Sequence, residues 1–150
     1  MTEPKESYQL LLEKQKRVAM LSSVASLVGW DEETNMPPGG AEHRAEQMAF
    51  LSGLRHEWGT APELDGLMSS VETSGQWPED SNEAVNTRRW RRDYNLEVRL
   101  PQDLVEEMAR TRVLARKAWQ EAREKKKYHI FLPWMKKTVD LSRRVADCYG

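Results

Sequence analysis

Three groups of side chains in this 150-residue sequence could do chemistry: its histidines, a run of carboxylates and a block of arginines. His43, His56 and His129 are the 3 histidines. None has a second histidine at the i, i+4 spacing that sets two imidazoles on one helix face around zinc. Cys148 is the only cysteine, so a metal site built from this chain alone is not expected, and the histidines read as surface or capping groups. Asp31, Glu33, Asn35 and Glu42 stand at relative positions one, three, five and twelve, the spacing of a calcium loop. That match fails because Met36 occupies the place of the glycine the loop needs for its sharp turn, and Pro37-Pro38 follow. The same groups serve better as caps of helix ends. Arg88-Arg89-Trp90-Arg91-Arg92-Asp93-Tyr94 is the most basic stretch and could contact phosphates. Glu83, Asp93 and Glu97 share its helix, so paired arginines on a solvated or interhelical face are expected. A nucleic-acid partner is not. No glycine-rich phosphate loop, nucleophile elbow or Ser/His/Asp set is visible.

These residues hang on a series of helices around one break. Trp30-Asp31-Glu32-Glu33-Thr34-Asn35-Met36-Pro37-Pro38-Gly39-Gly40 lies between two amphipathic patterns. Proline lacks a backbone N–H and its ring clashes one turn back, while glycine admits dihedrals other residues avoid. The first helix is predicted over Lys5–Gly29, running into Trp30 and breaking there, with Trp30 buried. Asp31 or Thr34 should then cap the orphan amides of the next helix. The second helix is predicted over Ala41–Trp58 with Met48, Leu51, Leu54 and Trp58 as its stripe and Gly59 as C-cap. Thr60-Ala61-Pro62-Glu63 reads as a capping box opening a third helix to Thr73. A fourth follows from Pro78 or Ser81 to Val98. A fifth opens at Leu100-Pro101, exposes one face of Leu104, Met108, Ala115, Trp119 and Ala122 to the core, and ends near Lys125-Lys126-Lys127. A sixth starts at Leu132-Pro133 and reaches about Cys148. No stretch alternates with period two. The class is all-α, an array of about six antiparallel helices in a single domain over residues 1–150.

Composition bounds the partners. Lys+Arg 23 against Asp+Glu 24 gives a net charge of -1, without a global pull toward nucleic acid or an acidic membrane. Hydrophobic residues at 39% suffice for a core. The run Val18–Trp30 after Lys14-Gln15-Lys16-Arg17 mimics a signal peptide, but upstream acids, three serines and the lack of a cleavage site argue against it. It is also shorter than the roughly 20 residues that span a bilayer. Neither a membrane span nor an exported location is expected, and the cytoplasm is the default. The 6 tryptophans are many for this length and suit interfaces. Trp77, Trp90 and Trp134, near loops or helix ends, suggest an apolar face left exposed for association, with a second copy or with a portion absent here.

From Trp30 through Gly40 and Ala41, then Arg44-Ala45-Glu46-Gln47, the sequence resembles the N-terminal signature of the carboxypeptidase Taq family of metallopeptidases. Arg91-Arg92-Asp93-Tyr94 ahead of Leu100-Pro101, and Phe131 and Pro133 ahead of the last helix, support it. The resemblance covers essentially the whole chain. It implies a homodimeric helical enzyme that removes C-terminal amino acids from peptides, using zinc or another divalent metal on a His-Glu-x-x-His helix with a further glutamate. That motif is absent here, so no catalytic or metal residue carries over. What remains resembles the N-terminal region forming a wall or lid of the substrate groove. Trp30, Asp31, Glu33, Thr34, Met36, Pro37, Pro38, Gly39, Gly40 and Arg44 are then structural or groove-lining. The alternative is a free-standing helical interaction protein derived from that fold.

Overall fold

The structure is a computed structural model describing residues 3–150. It is all-α, with six helices among the described residues: α1 Pro4–Thr34, α2 Ala41–Gly59, α3 Glu63–Thr73, α4 Asn82–Glu97, α5 Gln102–Glu124 and α6 Tyr128–Tyr149. α2 and α5 pack along each other, α6 lies on α5, α1 lies on α2 and α3, and α4 rests mainly on α3.

Two apolar clusters hold these contacts. In one, Leu11, Leu64 and Met68 are fully buried, with Leu67, Trp90 and Tyr94 packed around them. This joins the start of α1 to α3 and α4. Beside it Tyr8 lies against Trp77 and Trp90, with ring centroids 5.9 and 6.1 Å away, and its hydroxyl accepts an N–H from Asn86 at 3.1 Å. In the other, Ala45, Met48 and Val113 are buried with Val28 and Leu114 against them, joining α1, α2 and α5. The α2 face that does this is Ala41, Ala45, Met48, Ala49, Gly53 and His56. Its small residues bring the backbones of α2 and α5 close. Leu51, Leu54 and Trp58 of the predicted stripe lie beside this seam rather than in it, and Trp58 is exposed. On α5, Leu104, Ala115 and Ala122 are buried as expected, whereas Met108 and Trp119 face outward.

Several boundaries differ from the sequence reading. α1 does not break at Trp30 but continues to Thr34. A proline obstructs only the carbonyl four residues back and the residue just before it, so Pro37 ends the helix at Glu33–Met36 and no earlier. The Asp31 carbonyl closes it, accepting the amides of Asn35 and Met36 at 2.9 and 3.0 Å. Thr60 caps the end of α2 rather than the start of α3. Its hydroxyl and its backbone N–H both donate to the His56 carbonyl, at 2.8 and 2.9 Å, and α3 begins at Glu63 without a side-chain cap. Gly59 is still helical. Ser81 does cap α4, accepting from the Ala84 amide at 3.2 Å. α6 starts at Tyr128, so Pro133 lies inside it, where it withholds the amide that would otherwise reach the carbonyl of His129.

Candidate functional site

The corner between α1 and α2 is built around Arg44. Its side chain is only 13% exposed. The guanidinium donates to the Val28 carbonyl at 2.6 Å and to the Asp31 carboxylate, and Nε donates to Gln47 Oε1 at 3.0 Å. One arginine thus ties the last turns of α1 to the first of α2. Asp31 therefore does not cap an amide; its carboxylate receives Arg44 across the corner. Thr34 does not cap either, since its hydroxyl donates back to the Trp30 carbonyl at 2.8 Å. The turn itself closes through the Gly40 amide donating to the Pro37 carbonyl at 2.8 Å. A Cβ on Gly40 would lie 3.1 Å from Met36 Cγ and 3.2 Å from the Pro37 oxygen, so a side chain there would make those neighbours give by a few tenths of an ångström. Gly39 meets no such neighbour.

Glu33 leaves the same corner toward α5, where Arg116 donates to it. That guanidinium holds the Glu33 carboxyl below the usual carboxylate range. Arg110 does the same to Glu46 one step along, at 2.6 and 2.9 Å. Trp30, expected in the core, is 59% exposed. The helix that was to stop before it continues past it and carries the ring to the outer face.

The second motif divides in two. Arg91 turns onto α3, donating to Asp65, to both Glu72 carboxylate oxygens at 3.0–3.2 Å and to Ser69 at 3.0 Å. Glu72, then Asp65, raise its pKa further. Tyr94 packs on the Leu11–Leu64–Met68 cluster. Arg92 and Asp93 stay exposed. The pairing expected along α4 is instead pairing between helices: Glu97 accepts from Arg55 of α2 at 2.8 Å. Arg88, Arg92 and Arg99 line a shallow groove with Glu72, Asn95 and Leu96.

His56 is buried, not on the surface, and its Nδ1 has no hydrogen-bond partner among the described residues. The signal was available, since His56 falls in phase with Ala41, Ala45, Met48, Ala49 and Gly53. The histidines do not converge: among the described residues no three or more His, Cys, Asp or Glu side chains gather where they could hold a metal ion. A divalent metal does not fit the donor set present. No helix among the described residues is long and apolar enough to cross a membrane.

The fold and its corner define an all-α scaffold whose polar groups brace helices against one another. Residues 10–150 match the family model described as carboxypeptidase Taq (M32) metallopeptidase, and the chain belongs to that family. It is 37% identical to Thermostable carboxypeptidase 1 of Thermus thermophilus over 145 residues, covering 96% of this chain and 28% of that protein. Thermostable carboxypeptidase 1 of Pyrococcus furiosus is 31% identical, with 97% and 29% covered. Among solved structures, the BsuCP crystal structure superposes with a TM-score of 0.84 at 25% identity over 100% of this chain and 29% of its own. The carboxypeptidase from Pyrococcus furiosus gives 0.73 at 31% identity, covering 97% and 29%. The chain thus spans less than a third of the length of the relatives it matches.

Proposed function

We propose that this chain is the N-terminal helical portion of a metallocarboxypeptidase that releases C-terminal amino acids from peptides. The observation that carries this reading is the coverage: nearly all of this chain aligns with less than a third of each relative. On this reading the zinc, or another divalent metal, and the groups that activate water belong to the remainder of the fold. What supports it is that among the described residues no three or more His, Cys, Asp or Glu side chains gather where they could hold a metal ion. The contribution of these helices is a wall or lid of the peptide groove, with the α1–α2 corner setting its angle. A homo-oligomeric, cytoplasmic enzyme is part of the same reading.

The experiment is metal analysis of the dialysed 150-residue chain together with a C-terminal release assay on a blocked peptide. The expected result is no stoichiometric zinc and no released amino acid. Stoichiometric zinc with zinc-dependent release would overturn it.

A further inference from the structure

Among the described residues, the outer face of the second half of α1 is left exposed. From Val18 to Trp30 the sequence carries no charged residue. Met20, Val24, Leu27 and Trp30 recur at i, i+4, i+7 and i+10, along one side of the helix. They are 68%, 42%, 63% and 59% exposed. α2 runs antiparallel beside α1, since Arg44 meets Asp31 at one end and Arg17 lies over Trp58 at the other. Phe50 of α2, at the height of Val24, is exposed as well.

The polar groups on this stretch need no water. The hydroxyls of Ser23 and Ser26 donate to their own helix, to the Met20 carbonyl at 2.7 Å and the Ser22 carbonyl at 3.0 Å. Two charges at the ends are engaged, Arg17 over the Trp58 ring and Glu33 by Arg116, while Lys16 one turn before Met20 is exposed. An apolar centre with a held polar rim is the anatomy of an interface.

The chain as a whole exposes a large area. The chain exposes 9951 Å², whereas a folded monomer of 17.5 kDa is expected to expose about 7,900 Å². That surplus of roughly 2,000 Å² belongs to the whole chain, and Leu96, Val98, Tyr128 and Met135 on other elements are exposed as well.

We infer that this α1 face is where the rest of an M32 carboxypeptidase fold packs, an inference that rests on the reading proposed above. The relatives supply the occupant, because more than two thirds of their length lies outside the part this chain spans. The segment that covers the face is apolar, since nothing charged on the face would pair with a polar one. Trp77 and Trp90, by contrast, turn inward onto Tyr8, so the tryptophans near loops do not build this surface.

The test is a chimera of the Thermus thermophilus relative in which this chain replaces the segment it matches. The expected result is one cooperative unfolding transition and release of C-terminal amino acids. Leu27→Asp, and independently Trp30→Ser, should each split that transition or cut release about tenfold or more. In the 150-residue chain alone neither substitution should move the unfolding midpoint, because both side chains face water there. Substituted chimeras that unfold and hydrolyse like the parent overturn the docking face and leave the family reading intact. A parent chimera in which this segment unfolds independently, with no release, overturns both. If both substitutions lower the midpoint of the chain alone as a monomer, the face is not free and the inference falls. If the chain alone self-associates and the substitutions abolish only that, the face belongs to a second copy and the inferred occupant is wrong.

Discussion

Arg44 is the residue on which the α1–α2 corner turns. Its guanidinium fills three acceptor sites, the Val28 carbonyl, the Asp31 carboxylate and Gln47 Oε1. Arg44→Ala removes all three bonds at once and leaves the Asp31 carboxylate without its partner. Charge-assisted hydrogen bonds contribute about 1.5–3 kcal/mol each, and stranded partners cost more than exchanged ones. Arg44→Ala is therefore expected to destabilise by about 2–3 kcal/mol in denaturant unfolding. Asp31 is more exposed than its partner, and screening by water leaves such a pair worth about 1 kcal/mol or less. Asp31→Ala should cost correspondingly less, and the double-mutant cycle should give a coupling near that value. Equal losses for the two single variants would contradict this division of labour. Arg44 was legible from the sequence as part of a motif, but its role was not. Asp31 and Thr34 look like caps from sequence alone, because nothing local announces that an arginine thirteen positions on will reach back.

At the scale of elements, the turn between α5 and α6 carries a specific strain. The Lys127 amide donates to the Ala122 carbonyl at 2.8 Å and Lys126 to Arg123 at 3.2 Å, with Lys126 at φ 54. This is the helix-ending motif in which a left-handed residue, usually glycine, satisfies the last carbonyls. A Cβ there costs about 1 kcal/mol. Lys126→Gly is expected to raise stability by up to about 1 kcal/mol, measurable as a higher unfolding midpoint, and a lower midpoint would refute it. The α2–α5 seam is the tightest contact. A Cβ on Gly53 would come 2.3 Å from Glu106 Oε1 and 2.9 Å from its Cγ. Gly53→Leu should displace the Glu106 side chain from the seam and cost about 1–3 kcal/mol, the usual range for overpacking. Carboxylates also bind elements together. Lys137 first, then Arg144, hold Glu107 below the usual carboxylate range across the α5–α6 contact. Arg116 does so for Glu33 and Arg110 for Glu46. A depressed folded-state pKa gives stability that is present above the unfolded value and lost as pH falls through the folded one. Stability should therefore hold near neutrality and decline as pH drops below the ordinary glutamate pKa of about 4.3. An acid titration followed by circular dichroism checks it, and a loss of structure centred near neutrality would refute it.

The molecule as a whole has two cores rather than one. Leu11, Leu64 and Met68 serve α1, α3 and α4, while Ala45, Met48 and Val113 serve α1, α2 and α5. Only the long α1 belongs to both. Regions that share few buried contacts open as separate units with separate free energies. Met68→Ala, which removes a fully buried side chain, should cost about 2–5 kcal/mol. Hydrogen exchange should then quicken in α3 and α4 well before α2 and α5. Uniform loss of protection along the chain would argue for one cooperative unit.

The helical class, the six elements and most of their boundaries could be read from the sequence, because period, prolines and glycine spacing act locally. The family could be read for the same reason, as its signature is a contiguous string from Trp30 to Gln47. The outward Trp30, Thr60 closing one helix instead of opening the next, and the turn of Arg91 onto α3 were decided only by the tertiary structure. Each depends on which neighbour arrives from far along the chain. A helical repeat sets which residues share a face, but whether that face meets another helix or water is settled by packing.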